Sequence, residues 1–359
     1  MPTKKQIADA ANALVRGELV AMPTETVYGL AADATNEAAV KRIFAAKGRP
    51  VDHPLIVHVR KGDDLSRWAK RIPAHVAPLI AAFWPGPLTL ILKKTDAIPD
   101  VVTGGQNTVG LRCPAHPIAQ SLLEAFAKHG SGIVAAPSAN RFGHVSPTTA
   151  AHVVSEFGDL IATQNPETSS AGKKRITLLD GGACDVGIES TILDLSGKTP
   201  VLLRPGAISA ADIERVIGIA PRSREMALTA DGGVPRASGD LAAHYAPRTP
   251  LKLVTAGTIA AEVDALLAAG KRVAVLAFAT KPKVKPSPVG VGVRHLRPLV
   301  WIQAPAKADD YARDLYASLR TLDAAGTAAI LVEAPPTDVV WEAIHDRLAR
   351  AAVGAGRLP

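Results

Sequence analysis

Hydrophobic and polar positions follow two periods along this chain. Over residues 6–16 apolar residues recur at helical spacing, and the apolar run Leu19–Met22 that follows has the length of a buried strand. A second helix is expected over Glu37–Ala46, with Asn36 as its cap. Pro54 breaks the chain before a short strand, Leu55–Val59. A helix over Ala74–Phe83 is stopped by Pro85, and Leu88–Lys93 is again a strand. Val109–Arg112, Pro117–His129 and Gly132–Ala136 read as strand, helix and strand, and Thr148–Glu156 reads as a helix. Thr177–Leu179, Thr191–Leu195 and Pro200–Leu203 read as strands closed by turn residues. After a helix over Ala210–Ile217 the chain becomes rich in Gly, Pro, Arg and Ser, so residues 208–250 are expected to link two domains, 1–207 and 251–359. The second domain opens with strand Leu251–Val254, helix Ile259–Ala269 and strand Arg272–Ala277. A basic, Pro-rich loop at 281–288, helix Lys307–Ala325, strand Ala328–Glu333 and helix Trp341–Ala352 complete it. That alternation predicts a small parallel-sheet α/β domain, Rossmann-like but with no GxGxxG at any strand-to-helix turn.

With 359 residues, 47% of them apolar and 21% charged, the chain can bury a sizeable core without metal or disulfide support. Only Cys113 and Cys184 are present, with no CxxC and no paired histidines nearby, which points to a reducing, cytoplasmic setting. Asp9, Arg16 and Glu18 interrupt any signal-peptide apolar region behind Lys4 and Lys5, and no stretch is long and apolar enough to span a membrane. The formal charge of +8 favours anionic ligands: nucleotides, phosphates or RNA. Aromatic residues are only 4%, which weakens the case for a base-stacking platform.

No GxxxxGK[ST], GxSxG or HExxH is present, so a P-loop ATPase, an α/β-hydrolase and a zincin are poorly supported. Polar residues gather instead beside strand ends. Residues 23–30, PTETVYGL, put two hydroxyls, a carboxylate and a phenol directly after an apolar strand, where they form either a ligand loop or a capped turn. Lys47 and Arg49 end a helix, as a phosphate clamp or as dipole partners. Thr108 and Arg112, four apart in a strand, lie on one face, and such an arginine can hold a carboxylate in a bidentate fork. AAPSAN at 135–140 offers either a close backbone approach to a ligand or a Pro-Ser turn. GIEST at 187–191 and Arg204 add hydroxyls and another cation. His53 and His58, oddly spaced and without a third ligand nearby, do not make a metal site, and Cys184 reads as a buried small residue.

Taken in order, PTETVYGL at 23–30, KGRP at 47–50, PLIVHV at 54–59, FWPGPLTL at 83–90, TVGLRCPAHPIA at 108–119, AAPSAN at 135–140, SPT at 146–148, GIEST at 187–191 and LLRPGAI at 202–208 closely resemble the YrdC-like threonylcarbamoyl-AMP synthase family in its long, two-domain form. HYAP at 244–247 and residues 311–323 resemble its linker and C-terminal domain. The resemblance implies a twisted, mixed sheet flanked by helices and enclosing a basic cavity. It also implies synthesis of L-threonylcarbamoyl-AMP from L-threonine, bicarbonate or carbon dioxide, and ATP, with release of pyrophosphate. The product serves modification of tRNA adenosine 37, and a separate transferase complex completes that step.

By the same resemblance Thr26, His58, Arg112, Ala136 and Ser190 hold threonine, with Arg112 on its carboxylate. Lys47, Arg49, His53, Thr108, Ser138, Asn140, Ser146 and Arg204 hold ATP, joined by His244 and Tyr245 from the linker. Lys47, Arg49, Ser138 and Asn140 are the candidates closest to the chemistry. Mg2+ is implied with the ATP, with no protein carboxylate cage readable for it. His53 stands where the family more often has asparagine, residues 163–175 read as an inserted surface loop, and only the end of the linker matches. The linker is expected to act as a lid, because carbamates and mixed anhydrides decompose in water. A non-catalytic module binding double-stranded RNA or tRNA would explain Lys47 and Arg49 but gives no joint role to Thr26, Arg112 and Ser190. A hydrogenase-maturation carbamoyl-adenylate enzyme would need zinc-finger cysteines that this chain lacks.

Overall fold

The first helix, α1 (Lys4–Val15), starts at a reciprocal cap: the Thr3 hydroxyl accepts from the Gln6 N–H, and the Gln6 side chain accepts from the Thr3 N–H. The structure is a computed structural model that describes residues 1–161, 176–231, 233–281 and 298–357. It forms two units, Met1–Phe142 with Ser146–Asp240, and Gly143–Val145 with Leu241–Pro359.

In the first unit the chain runs through β1 (Leu19–Met22), β2 (Gly29–Asp33), α2 (Glu37–Lys47), β3 (Ile56–His58), α3 (Val76–Phe83), β4 (Leu88–Lys93) and the single turn α4 (Asp100–Thr103). It continues through β5 (Thr108–Arg112), α5 (Pro117–Phe126), β6 (Val134–Ala135), α6 (Ala150–Phe157), β7 (Ile176–Leu178), β8 (Thr191–Asp194), β9 (Val201–Arg204), α7 (Ala210–Ile217), β10 (Arg222–Ser223) and α8 (Arg224–Asp231). The strands form one mixed sheet in the order β10-β9-β8-β4-β5-β3-β6-β2-β1-β7. Parallel pairs (β3 with β5, β4 with β8) stand beside antiparallel ones (β4 with β5, β3 with β6). Alternation sorts the central strands. Val57, Leu88, Leu90, Leu92, Val109, Leu111 and Leu193 belong to the main core, whereas Ile91 and Ile192 pack into a smaller cluster with Ile56, Ala227, Val234 and Ala237.

The second unit contains β11 (Leu251–Val254), α9 (Ile259–Ala268), β12 (Val273–Ala277), β13 (Leu299–Gln303), α10 (Ala308–Asp323), β14 (Ala329–Glu333) and α11 (Glu342–Gly354). Its sheet, in the order β11-β14-β12-β13, is wholly parallel, as the strand–helix alternation implied. Val273, Val275, Leu299 and Leu331 form its core with Ile259 and Val263 of α9.

Several elements differ from the sequence reading. β2 falls within a segment read as loop, because GLAAD lacks β-branched residues. What makes it a strand is the turn before it, where the Thr24 hydroxyl accepts from the Thr26 and Val27 N–H groups and donates to the Val27 carbonyl, reversing the chain so that Met22 pairs with Gly29. Residues 208–250 hold β10 and α8 besides α7, and 208–240 lie in the first unit: β10 adds to β9 as an edge strand, and Ala227 of α8 is buried against the sheet. The expected insertion at 163–175 and most of the basic loop at 281–288 lie outside the described residues.

Candidate functional site

Because side chains alternate along a strand, His58 falls on the sheet face of Ile56, Thr89 on that of Ile91, and Thr108 and Arg112 on that of Gly110. These are one face: a Cβ at Gly110 would stand 3.1 Å from Ile91 Cδ1, 3.3 Å from Thr89 Cγ2 and 3.6 Å from Ile56 Cγ1. Gly110 therefore lets the face stay flat between two functional positions. His58 and Arg112 are direct partners in the β3–β5 ladder, so register alone sets them side by side at the strand ends.

Arg112 and Glu25 form a buried ion pair at 2.6 Å, and the second Glu25 oxygen accepts from the Ala115 N–H at 3.0 Å. His58 is buried, and its Nδ1 has no hydrogen-bond partner among the described residues. Burial and the neighbouring Arg112 charge push its pKa down to about 3, so the ring is neutral at ordinary pH. The Ser190 hydroxyl shares a hydrogen bond with Thr89 Oγ1 at 2.8 Å. Thr26 is fully buried with its hydroxyl 2.9 Å from that of Thr24. The Ala136 N–H donates to the Ile56 carbonyl at 3.0 Å, fixing the start of the 136–140 loop against β3.

The residues assigned to the nucleotide are held by equally defined bonds. Gly48, at φ 63°, caps α2 with its N–H on the Phe44 carbonyl, which ends the helix at Lys47. Lys47 is no solvated helix end: it is 3% exposed, and its ammonium donates to the carbonyl oxygens of Ser138 and Asn140 at 2.6 and 2.5 Å. Burial and the Arg49 charge hold its pKa well below the usual lysine value. Arg49 donates to the Pro54 carbonyl at 3.0 Å and lies over the Phe142 ring, against whose edge His53 also packs. Burial and Arg49 lower the His53 pKa. The Asn140 amide donates to the Arg141 carbonyl, and the Ser146 hydroxyl donates to Glu189 at 2.6 Å. Thr108 is buried at the head of β5.

Arg204 joins the two groups. It donates to the Ser190 carbonyl through Nε and Nη2, at 3.0 and 2.9 Å, to the Ser190 hydroxyl at 3.2 Å, and to the Ser238 carbonyl at 2.8 Å. Ser238 belongs to a strap, residues 233–240, whose own hydroxyl donates to the Pro54 carbonyl. Arg236 of the strap exchanges bonds with Gln106 and donates to the Gly104 carbonyl. Beneath Arg236, Ala237 and Ser238, beside Pro54, Thr108 and Gly110, lies a crevice of about 10 Å³, room for one water.

His244 and Tyr245 fall in the second unit. Their rings meet edge to face at 4.1 Å, Tyr245 stacks on Tyr316, and the Arg347 guanidinium lies over the Tyr245 ring. Both cysteines are buried, and burial raises the Cys113 and Cys184 thiols to about 11 and about 12, so neither is a thiolate nucleophile at neutral pH. From sequence Glu25 figures only as the carboxylate of PTETVYGL, without a role of its own, and Thr89, Glu189 and the strap's Ser238 are not singled out. The first three lie inside the quoted motifs, but only the fold shows that they bond to assigned residues. Among the described residues no group of three or more His, Cys, Asp or Glu could hold a metal. None of their helices is long and apolar enough to cross a membrane.

Two family models match this chain: the one described as "Telomere recombination" over residues 12–206, and the one described as "Threonylcarbamoyl-AMP synthase, C-terminal domain" over residues 208–353. The threonylcarbamoyl-AMP synthase of Pyrococcus abyssi is 37% identical over 352 residues, covering 96% of this chain and 94% of that one. That of Bacillus subtilis is 38% identical over 353 residues, covering 97% and 93%. The crystal structure of Pyrococcus abyssi Sua5 complexed with L-threonine superposes with a TM-score of 0.82 at 36% identity, covering 99% of this chain and 96% of that one. Both halves match together and in one order, so the chain belongs to the YrdC-like threonylcarbamoyl-AMP synthase family.

Proposed function

We propose that this chain makes L-threonylcarbamoyl-AMP from L-threonine, bicarbonate or carbon dioxide, and ATP, releasing pyrophosphate. The observation that carries the reading is the single sheet face on which His58, Thr89, Thr108 and Arg112 are buried together, with Ser190 and Arg204 bonded beside them. Family membership and the threonine complex of the Pyrococcus abyssi relative support it.

The chemistry needs positioning and charge neutralisation more than a nucleophile from the enzyme. Threonine's amine adds to carbon dioxide to give a carbamate. A carbamate oxygen then attacks the α-phosphorus while pyrophosphate leaves on the opposite side. Arg112 receives the threonine carboxylate, with Thr26, Ser190, the neutral His58 ring and the backbone at Ala136 around the rest of the amino acid. Lys47, tied to two carbonyls, keeps its third N–H for a phosphate oxygen. Arg49, His53, Thr108, Ser138, Asn140, Ser146 and Arg204 hold the remainder of the nucleotide. The cations around Lys47 do not suit a metal, so Mg2+ is assigned to the ATP phosphates and no step is routed through it. The strap over Thr108 and Gly110 shields the mixed anhydride from water.

In this reading the enzyme is cytoplasmic, makes only weak contact with tRNA, and hands its product to a separate transferase complex that modifies adenosine 37. RNA binding alone leaves the buried His58, Arg112 and Ser190 without a purpose. Incubation with threonine, bicarbonate and ATP, followed by mass analysis, should yield threonylcarbamoyl-AMP and pyrophosphate in equal amounts. Formation of ADP, or turnover indifferent to threonine, would overturn the assignment.

A further inference from the structure

Arg112 carries five N–H groups, and the structure commits two of its nitrogens. Nε faces the Gly86 carbonyl at 3.4 Å, and Nη2 donates to Glu25 Oε1 at 2.6 Å. Glu25 is itself fixed at both ends: Oε2 accepts from the Ala115 N–H at 3.0 Å, and its backbone carbonyl accepts from the Val186 N–H at 2.8 Å. The guanidinium plane is therefore set from two sides. Among the described residues no hydrogen bond engages Nη1, so the edge it makes with Nη2 is left for an incoming carboxylate, in the parallel two-bond geometry that a fork and a carboxylate share.

Stability alone gives little reason for such a pair. With side chains only 5% and 8% exposed, both ions are desolvated, and apolar residues of similar volume would serve a core as well or better. We propose that Glu25 is a positioning residue: without touching substrate, it aims Arg112 at the carboxylate of threonine and so sets the affinity for the amino acid and not for the nucleotide. The proposal rests on the synthase reading, in which Arg112 meets that carboxylate.

Glu25→Gln is a sharp probe because an amide has one oxygen where the carboxylate has two. It can accept from Arg112 or from Ala115, and its NH₂ opposes whichever donor remains. Glu25→Asp keeps both acceptors on a shorter stem. Threonine and ATP binding by the full chain are measured by calorimetry, with KM and kcat for each substrate. Glu25→Gln should weaken threonine at least tenfold and raise its KM alike, with ATP affinity within twofold of the unsubstituted chain. Glu25→Asp should recover part of the loss. Unchanged threonine affinity in Glu25→Gln, equal losses for threonine and ATP, or no recovery with aspartate would overturn the proposal. Should the glutamine variant fail to fold, the aspartate variant decides by the same threonine-against-ATP split, expected at three- to tenfold. An unsubstituted chain that binds no threonine overturns the synthase reading and this proposal with it, whereas threonine binding that is indifferent to Glu25 overturns this proposal alone.

Discussion

The two units use their polar side chains differently. In the second, carboxylates hold backbone: Glu333 accepts from the Phe278 N–H at the end of β12, and Asp323 at the end of α10 accepts from the Arg248 and Thr249 N–H groups. Its buried Arg347 pairs with the adjacent Asp346. The carboxylate bonds to backbone close turns and pin a helix end. In the first unit Glu25 holds an arginine and Glu189 a serine hydroxyl, Thr89 holds Ser190, and Lys47 reaches the 138–140 loop, across separations of 43 to 101 residues. A long-range bond between buried side chains costs ordering entropy and desolvation, and a fold gains little from it over apolar packing. Several of them gather beside one sheet face, which is the arrangement that the proposed ligand site would use.

If that contrast holds, substitutions in the two units should separate ligand affinity from stability. The largest effect is expected for Arg112→Ala, which removes the carboxylate partner and strands Glu25. Threonine affinity should fall by about 2–4 kcal/mol, measured by calorimetry, with ATP affinity much less affected. Arg347→Ala in the second unit should do the reverse. Loss of this buried cation should destabilise that unit by about 3 kcal/mol in urea unfolding. Threonine affinity should stay within twofold, and a matching loss would break the contrast.

A third test is the pH dependence of stability. The folded His58 takes a proton only near pH 3, whereas in the unfolded chain it does so near 6.5. Between those values the unfolded state binds the extra proton, so stability falls as the pH is lowered through the window, by about 1.4 kcal/mol per unit at its centre. Unfolding midpoints of His58→Gln should show a slope shallower by that amount, and identical slopes would place the charge change elsewhere. The smallest effect belongs to Arg236→Ala, which removes one exposed bond from the strap. Stability should change by less than about 1 kcal/mol, while release of AMP relative to captured threonylcarbamoyl-AMP should rise. A product ratio equal to that of the unsubstituted chain would reduce the strap to a passive connection.

Periodicity made most elements legible. β1, β4 and β11 stand where the apolar runs put them, and α2 begins at the Asn36 cap, whose side chain accepts from the Ala39 N–H. Segments whose structure comes from partners were not legible. β2 is made by the Thr24 turn and β10 by an edge of β9. Neither carries a pattern strong enough to announce itself locally, whereas β13, LVWIQ, has the apolar run of a strand and is absent from the sequence reading.

The candidate site divides along the same line. By itself the sequence determined which residue types were present and on which face of a strand they fell, because a period of two is a local property: Thr108 with Arg112 needed no structure. Tertiary structure alone decided that Arg112 meets His58 across a ladder and Glu25 across a loop, that Lys47 turns inward to Ser138 and Asn140, and that Arg204 bonds Ser190 to the strap. Hydrogen bonds act over about 3 Å, and residues tens of positions apart reach that distance only after the sheet has set its strand order and register.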